Sequence, residues 1–406
     1  MGAIGRDPSP HASTRADAGE AARKAALLSI ATLTVSSTMV IAPSLPAMAA
    51  AFADTPNAEL LVKLTLTMPA IAIAICAPMA GWVIDRYGRL PMLYASMVLF
   101  GIAGMSGYFL DSLYMLLASR LVLGMAIAGS MTTLNTLAGD YFTGEARGSF
   151  AGLQSMVMSF GAMLLVGVAG LMADYHWRYP FLLYAYSWIL ILFVAPVLTE
   201  PTRIQRDAAA AGNEPLPVKE LIGAYVLGWF SAVMFYVVAS QLPFLIRERG
   251  VESGILLGLA VGLVQLFAAG GSMLHARVKR NRGFLAVYAI AFFLMAAGYG
   301  LIWLTTSYAV VLISSAIVGI GVGFFFPNCT LWVLMIAPPR MRGRCAGGLS
   351  ASLNLGQFAS PIALYPIVAA AGLGGAFGVS AGVLLVVAML LLVGPSLFRA
   401  SRSKGG

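Results

Sequence analysis

Residues 61–83 and 90–110 are two apolar runs separated by a short charged break, and each exceeds the roughly 20 residues a helix needs to cross a bilayer core. Backbone groups in lipid have no water to bond. Runs of this length must therefore be helices, and the break between them must sit at a membrane surface. The pattern recurs along the chain. Apolar runs lie at about 26–51, 61–83, 90–110, 113–138, 149–173 and 179–198, then at about 220–245, 253–275, 284–305, 308–337, 344–370 and 373–397. With 60% of residues hydrophobic and 10% charged, the chain is too apolar for a soluble domain. The expected class is an all-α polytopic membrane protein of twelve transmembrane helices in two pseudo-symmetric six-helix bundles. Residues 25–198 and 219–398 form the bundles and residues 199–218 a linker. Residues 1–24 and 399–406 are tails, the first without fixed structure.

An even number of spans places both termini on one side. Of the 25 basic residues, 20 fall in the tails and even-numbered connections. Lys63, Arg178, Arg247 and Arg249 fall on the odd-numbered side, and Arg120 lies inside a span. Lysine and arginine collect in cytoplasmic loops, so both termini and the linker are expected in the cytoplasm. The same distribution accounts for the net charge of +9 without a nucleic-acid partner. Cys76, Cys329 and Cys345, at unrelated spacings, form neither a disulfide framework nor a metal pattern. His11, His176 and His275 are scattered between tail and loops, and no nucleophile–base pair lies near midplane, which argues against an enzyme.

The halves carry an internal repeat. Arg147-Gly148-Ser149-Phe150-Ala151-Gly152 at the start of span 5 recurs as Arg342-Gly343-Arg344-Cys345-Ala346-Gly347 at the start of span 11. The same offset carries Gly124 of span 4 onto Gly319 of span 10. Such placement fits parallel repeats about an axis along the membrane normal. Between spans 8 and 9, where His275 falls opposite Asp85, only the basic character of the first break survives.

That first break reads Gly81-Trp82-Val83-Ile84-Asp85-Arg86-Tyr87-Gly88-Arg89-Leu90-Pro91. Gly81 can admit a neighbouring helix, and Gly88 can take the left-handed turn that ends span 2. Asp85, Arg86 and Arg89 put fixed charge at the headgroups, on the same face as Asp140 and Arg147. The spacing G-x-x-x-D-R-x-G-R resembles the loop 2–3 signature of the major facilitator superfamily. Arg120-Leu121-Val122-Leu123-Gly124 in span 4 resembles a second, weaker motif of that family. The resemblance covers essentially the whole chain and is nearest the bacterial drug-exporter branch. It implies that loop 2–3 locks span 2 against the other half when the carrier faces outward. It also implies that an acid at the end of span 4, matched by Asp140, joins the lock. Span 5 departs from the drug-exporter pattern, with Leu165-Val166 and Ala169-Gly170 where a Gly-Pro pair and a Gly-Gly pair are usual.

Arg120 stands near mid-membrane, where a lone charge costs at least roughly 3 kcal/mol. It needs either acceptors on span 1, around Ser37 and Thr38, or an anionic or strongly hydrogen-bonding group brought by a substrate. Gly124, Met131 and Asn135 share its helical stripe. Further polar residues could line a central cavity: Ser37 and Thr38 in span 1, Tyr236 and Gln241 in span 7, Gln265 in span 8, Asn328 in span 10, and Asn354 and Gln357 in span 11. Each alone is as well explained by hydrogen bonds between helices. All 16 acidic residues fall in tails, loops or span ends.

The expected function is secondary transport by alternating access around a midplane site. The resemblance implies ion-coupled efflux of a small amphipathic compound, drug or siderophore-like, by a monomeric carrier in a bacterial inner membrane, coupled to a proton. Uptake of a small polar or anionic metabolite is the alternative. No cofactor or metal is expected, there is no ATP-binding loop, and no ring of charge marks a channel.

Overall fold

The computed structural model describes residues 10–142, 144–200, 216–338 and 341–403. Among them the chain is helical with short connections. Ten helices are long and apolar enough to cross a membrane. The last of these, Arg342–Ser403, is two spans joined at Gly372, whose φ of 72° breaks the helix. Span 6, Tyr179–Val194, is a shorter apolar element. Together they make the twelve-helix arrangement.

Prolines explain the irregular spans. Pro43 would clash with the carbonyl of residue 39, and the first helix, Pro10–Met39, ends there. Span 1 continues through a 3-10 turn at Ala42–Ser44 and the short helix Leu45–Ala51. Pro180 opens span 6 as a 3-10 turn, Tyr179–Ala185, before the helix Tyr186–Val194. The other spans are Ala58–Tyr87, Arg89–Phe109, Leu113–Tyr141, Gly144–Tyr175, Val218–Glu248, Gly254–Lys279, Phe284–Leu304 and Tyr308–Ile336. Two readings change. Residues 10–24 are not a structureless tail but continue the span 1 helix from Pro10. His275 is not in a loop: it lies within span 8 and is buried. Most of the linker falls outside the described residues.

Each half packs in the same way. In the first half a side chain on Gly124 of span 4 would collide with the Pro69 carbonyl of span 2; in the second, Gly319 of span 10 stands so against Val264 of span 8. The offset that carries Gly124 to Gly319 also carries Pro69 to Val264, so the repeat extends to the contacts. The absent side chains allow these helices to pack backbone to backbone. Between the halves, span 2 meets span 11 and span 5 meets span 8.

Candidate functional site

Spans 5 and 8 approach each other in a graded way. A Cβ on Gly170 would collide with the Gly254 carbonyl. Moving away from that end, a Cβ on Gly258 would lie 2.8 Å from the Val166 carbonyl oxygen, and one on Gly262 3.6 Å from Cγ of Met163. Nothing among the described residues lies within 4 Å of such a position at Gly152, about five turns from Gly170 on the same face of span 5 and near the basic face. The two helices form a wedge, closed at the odd-numbered face. Its closed end is fastened by Asp174, whose carboxylate accepts the backbone N–H groups of Gly254 and Ile255 and faces the Ser253 hydroxyl at 3.3 Å. At the same face Tyr365 of span 11 bonds Asn57, beside span 2, at 3.1 Å. Lys63, buried in span 2, pairs with Glu59 and places Nζ 4.5 Å from the centroid of the Phe244 ring in span 7.

The basic face is organised within the first half. Gly88 has φ 103° and ψ 167°, a region open essentially to glycine alone, and it turns span 2 into span 3 with no further loop. This is an extended conformation with positive φ, not the left-handed helical one expected. Arg89 Nε donates to Asp140 Oδ2 at 3.1 Å, with both side chains largely buried. Glu200, just after span 6, accepts the backbone N–H of Arg89 at 2.7 Å and that of Leu90 at 2.8 Å, one on each carboxylate oxygen. A carboxylate is favoured at a helix N-terminus, where unpaired donors and the dipole coincide. Tyr141 bonds the neighbouring Thr199 carbonyl, and Arg23 lies over the Tyr141 ring. Arg86 lies 5.7 Å from the Trp82 ring centroid, and Asp85 is exposed. Gly81 differs from expectation: among the described residues nothing stands within 4 Å of a Cβ there, so none of the described helices packs against it. Arg147 lies in the span 5 helix, and its side chain is outside the described residues. Glu200 was missed because it reads as the first charge of a linker.

Arg120 has found its acceptors elsewhere than on span 1. Gly101, Gly104 and Gly107 form a stripe on span 3 against which Trp188, Tyr184 and Phe181 of span 6 are seated. The missing side chain at Gly104 leaves the span 3 backbone uncovered, and Arg120 donates to the carbonyls of Ala103 at 2.8 Å and Gly104 at 3.0 Å. Its guanidinium carbon sits 5.2 Å from the Phe181 ring centroid and 5.4 Å from that of Tyr184. The side chain is 0% exposed, and its second terminal nitrogen has no partner among the described residues. Span 1 is tied to this cluster instead through Tyr184, whose hydroxyl donates to the Ser37 carbonyl at 3.0 Å.

The other cavity candidates do not converge on one point. Tyr236 of span 7 stands near Thr38 of span 1, across the two halves. Ser37 spends its hydroxyl on the Thr34 carbonyl. Gln265 lines a small void with Met39, Phe235 and Val238. Ser352 and Ser360 of span 11 bond the carbonyls of Tyr225 and Val233 of span 7, one constant register. That register sets Gln357 beside residue 230 and Gln241 beside residue 368, roughly 16 Å apart at 1.5 Å per residue. Both glutamines are buried, each with an amide atom that has no partner among the described residues. Asn354 is spent on Ser350 in its own helix, Asn135 is exposed, and Asn328 donates to Phe284 near the basic face. Thr38 and Tyr236 thus stand at the middle level of the seam, with Gln241 and Gln357 on either side of it in depth.

Two helical bundles joined at one face and parted at the other can bind a small molecule between them. Comparison with known proteins agrees. The chain is 23% identical over 283 residues to the bacillibactin exporter of Bacillus subtilis, covering 66% of this chain and 70% of that one. It is 24% identical over 311 residues to multidrug resistance protein 1 of the same species, covering 72% and 77%. Among solved structures it resembles a D-xylose-proton symporter, with TM-score 0.73 and 17% identity over 91% of this chain and 96% of the symporter. The nucleoside transporter NupG superposes with TM-score 0.75 and 13% identity, over 91% and 98%. The profile of the Major Facilitator Superfamily matches residues 27–290, and with the twelve-helix fold this makes the chain a multi-pass membrane transporter of that superfamily.

Proposed function

We propose that this protein exports a small amphipathic compound by alternating access, coupled to a proton. The observation that carries the reading is the wedge between spans 5 and 8, tight at Gly170 and open at Gly152 on the same helix face. A seam closed at one face and open at the other is what one state of a rocking carrier requires. The 20 basic residues of the tails and even-numbered connections put the open face in the cytoplasm, with both termini. The conformation is then the one that loads substrate from inside, and similarity to two Bacillus subtilis proteins favours a bacterial plasma membrane. In this reading the break that carries Gly81, Asp85 and Arg86, with Arg147 on the same face, meets the second half of the protein when the cytoplasmic face closes. Gly88, Arg89, Asp140 and Glu200 hold the loop ready for it.

The substrate site lies at the level of Thr38 and Tyr236, between Gln241 and Gln357. It offers hydroxyls, amides and aromatic surface, which suit an amphipathic compound. Uptake of an anionic metabolite is less well supported, because the guanidinium of Arg120 is fully buried and bonded to span 3. Export is tested with proteoliposomes and intact cells. An exporter lowers cellular accumulation of a dye in an energised cell, and dissipating the proton gradient restores it. Raised accumulation of the transported compound would reverse the direction.

A further inference from the structure

Lys63 and Arg120 are the buried cations among the described residues. Arg120 is enclosed within the first half, but Lys63 stands on the seam. It is 4% exposed, paired one turn back with Glu59 on its own half, and set over the ring of Phe244 from the other half. Glu59 and Phe244 both line a cavity of ≈ 460 Å³ at the odd-numbered face, whose wall also includes Pro46, Ala49, Arg247 and Leu373. The cavity is built from both halves, so its walls part when that face opens.

An ammonium withdrawn from water must be matched, or its burial opposes the state that buries it. The two partners of Lys63 behave differently during a rocking motion. Glu59 travels with the lysine. Phe244 belongs to the opposite half, and its ring stands where water would stand once the face opens. A ring face is an acceptable substitute for water around a desolvated ammonium. We propose that Lys63, Glu59 and Phe244 form a charge-matching gate: the outer face closes only when the buried ammonium is matched by the carboxylate and the ring together. The gate rests on the alternating-access reading above and names the residues that set its resting balance. Lys63 here is a positioning residue and touches no substrate.

The test uses the full chain in lipid, with its three native cysteines replaced and nitroxide labels at Asp54→Cys and Glu252→Cys. Both sites are exposed at the odd-numbered face, on opposite halves. Pulsed-resonance distances then report the ratio of open to closed outer face. Phe244→Leu should raise that ratio about tenfold, because the ammonium loses its ring. Glu59→Gln should act in the same direction, and Phe244→Tyr, which keeps the ring, should leave the ratio unchanged. Combining Lys63→Met with Phe244→Leu should restore the wild-type ratio, since no charge is left to match. An equal rise with Phe244→Leu whether or not Lys63 is present would make the ring mere packing and overturn the gate. A single unchanging distance in every variant would remove alternating access itself, and the gate with it.

Discussion

The carboxylate of Asp174 at the end of span 5 takes the backbone N–H of Gly254 at the start of span 8, so one half of the protein caps a helix of the other. The cap exists only while the odd-numbered face is closed. Losing a helix cap of this kind costs about 1 kcal/mol, or about a fivefold change in an equilibrium. Asp174→Ala should therefore favour the open outer face by about that factor. Cysteine accessibility at the mouth of the seam, measured with an impermeant reagent, reports the shift, and an unchanged rate of labelling would contradict it.

Gly88 predicts a stability effect. Alanine there would need φ 103°, and its Cβ would press to 3.2 Å from the Glu200 carboxylate. Backbone strain of this kind costs on the order of 1–3 kcal/mol. Gly88→Ala should lower the thermal midpoint of the detergent-solubilised protein by several degrees. A midpoint equal to wild type would show that the turn can be rebuilt.

Asp85→Asn should slow transport sharply while equilibrium binding of substrate stays within a few-fold. The residue sits at the exposed break, far from the level of Thr38 and Tyr236. Loss of binding with an intact conformational cycle would move Asp85 into the substrate site.

For Arg120 the structure changes the expected phenotype. A lysine in its place keeps the charge but lacks the planar guanidinium that lies against the Phe181 and Tyr184 rings while Nη2 bonds the Ala103 and Gly104 carbonyls. Arg120→Lys and Arg120→Ala should both lower stability, by roughly 2–4 kcal/mol for the second, as a buried network is emptied. Substrate affinity of the surviving folded fraction should remain within a few-fold of wild type. A stable Arg120→Ala protein without binding would return the residue to the substrate.

Orientation is checked by cysteines at residue 10 and within residues 200–218. Both should resist impermeant reagents on intact cells and react once the membrane is opened. Labelling of either from outside would invert the topology.

The twelve helices were legible because lipid imposes run length and hydropathy directly on the residues. Span 6 is the exception in length, and Pro180 explains it. The Arg89–Asp140 pair was also within reach, since both charges must lie on one face. Glu200 was not, because its partners are backbone donors of a helix far back in the chain, and backbone donors leave no mark in composition. Arg120 was legible as a buried charge but not by its partners. Those depend on how far span 4 is rotated toward the glycine stripe of span 3. Lys63 read as an interfacial cation, and only the meeting of spans 2 and 7 shows it at the seam.

While the Asp174 cap holds the outer face shut, the taper between spans 5 and 8 makes their tight end a fulcrum. Residues 152–170 span roughly 27 Å of helix, so a tilt of about 10° at Gly170 would swing the far end by roughly 5 Å. Leverage of this kind ranks positions by distance from the pivot rather than by size of the added group. A methyl at Gly170 acts where no travel is available and would force the helices apart along their whole length. The same methyl at Gly152 enters empty space and meets a neighbour only at the end of the stroke, where it would limit how far the inner mouth can shut.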